Sequence, residues 1–464
     1  MTRARILSAL FLLAPAASAQ DAVSFERQVV PILAKHCQGC HQPAKASGDT
    51  RLITHFDLVG GDSPLVIPGK PDESLLLEII TPYEDEAPAM PPDADPLDDE
   101  TVDALRRWIA EGAVDDSSPA PAAELNDKGQ PIYRRPPVVT SLAYSPDGET
   151  LAVTGRGEVL LHSSDTSGEP IARLVGLSER IESVAFSPDG KRLAACGGSP
   201  GLRGELQIWD VPNRKLLVSK NVTYDTLRGT SWSGDGSRVA FGCTDNTVRV
   251  VEASSGAEVL FQGAHSDWVL GTAFSSDDSH LVTVSRDRSM KLVKVESQQF
   301  IDNITSITPG ALRGGLMSVA RRPKMDQLLV GGADGTPKTY KMYREKKRVI
   351  GDDFNLLRAF KRLPGRIFSV AWNQDGTRFV AGASLRGTGT VSLYDAEKES
   401  PLWTREVPSG VYAAACRPNG EEVVVGGFDG IVRVLAAESG ELLRELVPVP
   451  LEKSSWKLLE QPAR

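Results

Sequence analysis

Cys37, Cys40 and His41 stand in the order Cys-x-x-Cys-His, the combination that covalent attachment of c-type haem requires. One helical turn between the thiols brings both sulfurs to the two vinyl groups of one porphyrin, and the adjoining His41 is carried under the iron as proximal ligand. A zinc half-site would need a second ligand pair, and the next cysteine is Cys196. A dithiol redox pair would need a βαβ setting, which the flanking sequence lacks. A low-spin electron-transfer iron also needs a sixth ligand opposite His41. Met90, in Met90-Pro91-Pro92, is the only methionine between residues 20 and 114. Its thioether favours ferrous iron and raises the potential, and the two prolines stiffen the loop that presents it. Without the haem motif a lone methionine would read as core filler. His55 competes for the distal place, while His36 is disfavoured because it abuts Cys37. The expected cofactor is one covalent haem c, its iron held by His41 and Met90.

Three helical segments are expected to position these groups. Phe25, Val29, Ile32 and Leu33 recur at helical spacing ahead of Cys37, with Pro31 forcing a kink or restart. A second helix follows Pro68-Gly69, with Asp72 as N-cap and Leu75, Leu76, Ile79 and Ile80 as its apolar side. The third starts at Asp98 or Asp99, carries Val102, Leu105, Trp108 and Ile109, and stops at Gly112. Trp108 reads as core packing in preference to an electron relay.

Arg3 and Arg5 precede the apolar run from Ile6 to Ala14, and Ala17-Ser18-Ala19 offers a small-x-small cleavage site. Together they read as a signal peptide over residues 1–19, and the expected location is periplasmic, in keeping with haem c. The run is too short to span a bilayer and no later segment reaches that length. Residues 20–116 hold 20 Asp and Glu against 7 Lys and Arg, a net charge of −13, whereas the whole chain is −9. That asymmetry argues against nucleic acid as partner and fits a cationic redox partner docking near the haem; the same charge also serves solubility.

The motif set Cys37-x-x-Cys40-His41, Gly60-Gly61, Pro68-Gly69-x-Pro71-x-x-Ser74-x-Leu76, Met90-Pro91-Pro92 and Trp108-Ile109-x-x-Gly112-Ala113 resembles the planctomycete-type cytochrome c domain over about residues 23–115. The resemblance implies that Cys37 and Cys40 bind haem, that His41 is the proximal ligand and Met90 the distal one, and that the domain transfers electrons.

Residues 115–137 are rich in Pro, Ala and polar residues and read as a linker. Beyond it the chain repeats. Val184-Ala185-Phe186-Ser187-Pro188-Asp189-Gly190 has counterparts at Leu142–Gly148 and Val370–Gly376, with weaker copies near Thr230, Thr272, Val319 and Ala414. The Ser145-equivalent positions are 145, 187, 233, 275, 322, 373 and 417, a period of 42 to 51 residues that indicates propeller blades. Four units place Asp245, Asp287, Asp334 and Asp429 in the next turn. These units resemble WD repeats over about residues 138–447, although most Gly-His and Trp-Asp dipeptides are absent and Ala264-His265 is the nearest relic.

The expected architecture is therefore multidomain: signal peptide 1–19, small all-α cytochrome c domain 20–114, linker 115–137, all-β seven-bladed propeller 138–450 and tail 451–464. His162, His265 and His280 fall at different positions of different repeats, and His265 is expected to bond within its blade. Cys196, Cys243 and Cys416 read as buried free thiols, with a disulfide between two of them as the alternative. Three functions fit: an exported monohaem electron carrier whose propeller docks partner proteins; a periplasmic oxidoreductase with a substrate site in the propeller channel; and a haem sensor or scaffold, against which Met90 argues.

Overall fold

The computed structural model describes residues 22–42, 45–60, 63–83, 87–92, 95–117, 125–165, 168–263, 265–308 and 313–452. The expected signal peptide and its cleavage site, Gly61, Ala264 and most of the tail lie outside the described residues. The chain divides into two compact units, Met1–Ile32 with Thr54–Ser118, and Leu33–Ile53 with Pro119–Arg464. Among the described residues no helix is long and apolar enough to cross a membrane.

The first unit is built from short helices. Ser24 caps a π-helical turn, Phe25–Val29, by accepting the Arg27 N–H, and the chain passes directly into α1, Val30–His36. The change of helix type falls immediately before Pro31, where the missing N–H forces the expected restart. α2, His55–Val59, was not anticipated. Thr54 and Asp57 form a reciprocal capping box at its start, a Thr-x-x-Asp signal present in the sequence. Before α3, Leu75–Ile80, the N-cap position is held by Ser74 and not by Asp72. Asp72 sits inside a preceding 3₁₀ turn, Pro71–Glu73, and pairs with Arg106 at 2.8 Å. The buried side of α3 is accordingly Leu76, Leu77 and Ile80, with Leu75 turned outward. α4, Asp99–Ala110, is capped by Asp98, whose carboxylate accepts the Thr101 N–H. Gly112, at φ +101°, ends it in a conformation that glycine adopts freely. Trp108 is 1% exposed, stacks on Phe25 at 5.3 Å and donates its Nε1–H to the Val114 carbonyl. It is core.

In the second unit, seven four-stranded antiparallel sheets each use four consecutive strands. The innermost strands are Leu142–Tyr144, Arg180–Phe186, Leu227–Trp232, Val269–Phe274, Leu316–Arg321, Arg366–Trp372 and Val411–Cys416, here blades 1 to 7. Each touches the next and the seventh touches the first, so the ring is closed. The ring leaves each blade's innermost strand as a short edge that faces the channel and is protected by its neighbours. Apolar clusters form between neighbouring blades: Val159 and Leu161 of blade 1 pack with Ile181 and Leu193 of blade 2, and Val424 and Val434 of blade 7 with Leu142 and Val153 of blade 1. A row of hydroxyls staples the inner strands. Ser141, Ser183, Ser318 and Ser369 accept the N–H groups of Val184, Thr230, Val370 and Ala414 in the following blade, and Thr272 donates back to the Gly229 carbonyl.

The Pro-Asp-Gly turns form as read. In these two and in the equivalent turns of blades 3 and 4 a serine hydroxyl bonds the turn aspartate: Ser145 with Asp147, Ser187 with Asp189, Ser233 with Asp235, and Ser275 with Asp277. The hydrogen bond from Ser275, with that from Ser279, takes the Asp277 carboxyl down to about 2. Five turns place glycine at the left-handed position, Gly148, Gly190, Gly236, Gly376 and Gly420, and blade 4 places Asp278 there at φ +59°, whereas in blade 5 the residue before that position, Lys324, takes the conformation at φ +60°. A non-glycine residue pays about 1–2 kcal/mol for that conformation, against about 0.5–1 kcal/mol of extra chain entropy for glycine. Lys324→Gly should therefore raise the unfolding free energy by about 0.5–1 kcal/mol, measured by urea denaturation. A loss of stability would show that the lysine side chain contributes more than its backbone costs.

Closure between blades 7 and 1 uses no exchanged strand. The Val139 N–H donates to the Gly427 carbonyl, and segments flanking the first and last strands lie together on blade 1. Tyr133 bridges in parallel with Leu451, accepts the Glu452 N–H on its carbonyl, and packs with Leu160 and Val449. Beneath it Glu158 is 0% exposed, takes a two-pronged bond from Arg173 at 2.6 and 2.8 Å, and accepts the Tyr133 hydroxyl at 2.7 Å. Arg173 also donates to the Pro131 carbonyl. Burial and then the Glu158 charge hold the Tyr133 phenol far above its usual value.

Candidate functional site

α1 delivers the two thiols. The Cys37 N–H continues the helical pattern to the Leu33 carbonyl, and the N–H groups of Cys40 and His41 both donate to the Cys37 carbonyl at 3.1 Å. A single turn thus separates the sulfurs, as covalent attachment to one porphyrin needs. Both cysteines are free thiols, Cys37 half-buried and Cys40 exposed. Burial, and next the neighbouring Cys40, push the Cys37 thiol up to about 11. A dithiol oxidoreductase needs the opposite displacement, a lowered thiol pKa. The His41 Nδ1 atom is buried without a hydrogen-bond partner among the described residues. Two free thiols one turn apart and an uncommitted imidazole fit haem c in donor chemistry. Among the described residues no group of three His, Cys, Asp or Glu converges on one point, so the segment finds no companion ligands for zinc.

The two positions between the cysteines hold the segment in place. Gln38 is 0% exposed; its Nε2 donates to the Leu52 carbonyl and its Oε1 accepts from Arg203 of blade 2, both at 2.8 Å. Gly39 lies so close to the outer strand of that blade that a Cβ would stand 2.6 Å from the Ser219 carbonyl oxygen. Lys45 donates to the Leu217 carbonyl at 3.2 Å, and Asn221 donates to the Ala34 carbonyl. Next to the motif, His41–Gln42 pairs antiparallel with Lys45–Ala46, a short strand pair that an all-α reading does not contain. Nothing in the spacing of the cysteines announced that Gln38 and Gly39 were anchors.

Met90 belongs to the other unit, half-buried in a loop tied to α3 by its N–H donating to the Ile79 carbonyl at 2.8 Å. The rival His55 is already engaged: its Nε2 bonds the Ala113 carbonyl at 2.6 Å and its ring lies edge-on to Phe25 and Trp108.

Within the propeller, His265 bonds inside blade 4 as expected, through Nδ1 to Asp287 at 2.9 Å and Nε2 to Thr283 at 2.7 Å. The equivalent aspartates of blades 3, 5 and 7 turn to a cation four residues on: Asp245 to Arg249, Asp334 to Lys338 and Asp429 to Arg433. The lost Gly-His dipeptides are thus replaced by local ion pairs that keep the turn aspartate paired. His162 bonds the Pro448 carbonyl, and His280 bonds Ser279 at the start of the second strand of blade 4. Cys196 and Cys243 are fully buried free thiols and Cys416 is a half-buried one, held protonated by burial. The central channel encloses about 400 Å³. Of its lining hydroxyls, Ser141, Ser183, Ser318 and Ser369 are spent on stapling the blades, and Glu182 pairs with Arg228 at 2.9 Å.

Fold and site together define a seven-bladed propeller of WD-repeat type preceded by a cytochrome-like segment. Residues 37–94 match the family described as planctomycete cytochrome C, and residues 168–210 and 257–293 match the WD domain, G-beta repeat. Among curated proteins the chain is similar to actin-interacting protein 1-2 of Arabidopsis thaliana, 32% identical over 159 residues, 33% of this chain and 26% of that one. It is also similar to a ribosome biogenesis protein WDR12 homolog of Chlamydomonas reinhardtii, 27% identical over 227 residues, 42% of this chain and 50% of that one. The chain spans at most about half the length of these relatives.

Proposed function

We propose that this chain is an exported, periplasmic c-type cytochrome that transfers single electrons and uses its propeller to dock partner proteins. The observation that carries the reading is the motif turn: Cys37 and Cys40 free and one turn apart, beside an imidazole with a buried, unpartnered nitrogen, inside the stretch that matches a cytochrome family. Cys37 and Cys40 would hold the haem covalently, and His41 and Met90 would be the ligands of its iron. When bound, the haem supplies a one-electron couple. Gln38, Gly39 and Lys45 fix the segment against blade 2, so its position does not depend on a flexible tether. The WD-type propeller, with the four serines of its channel committed to holding blades together, supports docking over catalysis in the channel.

Potentiometric titration of the exported, haem-loaded protein tests this function. The expected result is one reversible single-electron wave per chain. Turnover of a small substrate by the propeller, with electrons passing to the haem, would replace the carrier reading with the oxidoreductase one.

A further inference from the structure

We infer that the propeller face bearing Trp268 is an arginine-rich docking surface for an acidic segment of a partner protein. The inference rests on the reading of the propeller as a docking scaffold and gives that scaffold a ligand chemistry. Strand direction divides the loops between two faces. In every blade the start of the innermost strand lies beside the end of the second, as Val269 pairs with Ser285 and Arg366 with Ser384. The turns between second and third strands therefore share one face with the loops that lead into each blade, and the Asp-Gly turns occupy the opposite face.

The two faces differ in sign. On the first, Arg156, Arg180, Arg288, Arg366 and Arg386 are exposed and make no ion pair among the described residues, while Arg286 pairs with Asp267 at 3.4 Å. Of the acids there, Glu179 is exposed, whereas the turn aspartates 245, 287, 334 and 429 are tied into their blades. On the opposite face the turns between first and second strands expose Asp147, Glu149, Asp189, Asp235, Asp277, Asp375 and Glu421 against Lys191 and Lys324. A protein needs no such division for solubility, which mixed charge serves as well. The arginine face also has relief and apolar contact. A cavity of about 460 Å³ between blades 1 and 2 is lined by Arg156, Glu179, Arg180 and Glu182 and shares Val138 and Thr140 with the channel. Trp268, 36% exposed, lies with the Arg286 guanidinium over its ring at 4.5 Å and that of Arg228 at 5.7 Å, and Phe428 is 63% exposed on the same rim. Guanidinium forks with aromatic surface between them suit carboxylates alternating with apolar side chains.

The probe is a fluorescein-labelled twelve-residue peptide of alternating Glu or Asp and Leu, compared with its Lys counterpart, titrated by anisotropy against the full haem-loaded protein. The expected result is binding of the acidic peptide that weakens as salt rises, falls about tenfold or more in Arg180→Glu/Arg366→Glu/Arg386→Glu, and is unchanged in Glu149→Lys/Glu421→Lys on the opposite face. Circular dichroism and the unfolding midpoint of the triple variant should match wild type, since all three sites are exposed. Acidic-peptide binding that survives the triple reversal overturns the inference. Preference for the basic peptide, lost in the opposite-face variant, overturns it too but leaves the docking scaffold standing; no binding of either peptide counts against both.

Discussion

Met90→Ala should convert a six-coordinate, low-spin ferric haem into a high-spin or water-ligated one, abolish the methionine-to-iron charge-transfer band and lower the reduction potential. A thioether stabilises ferrous iron relative to water or a nitrogen donor, so its loss favours the ferric state. Met90 is suited to the test because its loop is held by its own backbone, through the hydrogen bond to Ile79. Removing the side chain beyond Cβ leaves that tether intact. His55 should not substitute, since its Nε2 is committed to the Ala113 carbonyl and its ring to Phe25 and Trp108. His55→Ala should accordingly leave the ferric spectrum unchanged while weakening the fold of the first unit. An unaltered spectrum in Met90→Ala would assign the sixth position to another residue.

The second large effect is on the ring. Glu158→Gln keeps the shape of the side chain and removes its charge, leaving the Arg173 guanidinium, 10% exposed, without its carboxylate. Breaking one partner from a buried pair costs about 3–5 kcal/mol, and here the loss also weakens the bond that holds Tyr133 to blade 1. The unfolding free energy should fall by about that amount, and backbone amides of residues 449–452 should exchange faster. The double variant Glu158→Met/Arg173→Met should recover much of the loss, because it leaves no charge buried and unpaired. A change in Glu158→Gln below about 1 kcal/mol would mean that the pair is solvated and that the ring is closed by apolar contacts alone.

Local chemistry made part of this molecule legible. The haem motif is contiguous, the Pro-Asp-Gly turns carry their own geometry, and the strands that alternate around them count to seven in the sequence itself. Asp98 as the cap of α4 and the burial of Trp108 followed from helical spacing. What escaped was long-range or shared between elements. Tyr133 sits in a stretch whose Pro-rich composition reads as linker, yet it is 4% exposed, because its partners Glu158, Val449 and Leu451 arrive from distant parts of the chain. Asp72 looked like the cap of α3, but Arg106 of α4 offers it a charge and the chain first makes a 3₁₀ turn. The hydroxyl staples were visible as Ser at four of seven equivalent positions, 141, 183, 318 and 369, with Gly229, Gly271 and Ala413 at the others. Blade 4 has glycine at that position and uses the hydroxyl one residue on, Thr272, which bonds the Gly229 carbonyl, so the row is hidden from a fixed alignment. Gln38 and Gly39 escaped for a different reason, since the motif constrains only the cysteines and the histidine.

The electron-carrier account depends on haem being bonded to Cys37 and Cys40, whereas the docking surface stands on the propeller alone. The direct measurement is intact-protein and peptide mass spectrometry of exported material made with haem-maturation machinery, denatured in acid and organic solvent. The expected spectrum shows one haem retained per chain, located on the peptide containing residues 37–41 and absent from Cys37→Ala/Cys40→Ala. A wild-type chain that loses its haem on denaturation, or carries none, would contradict the account.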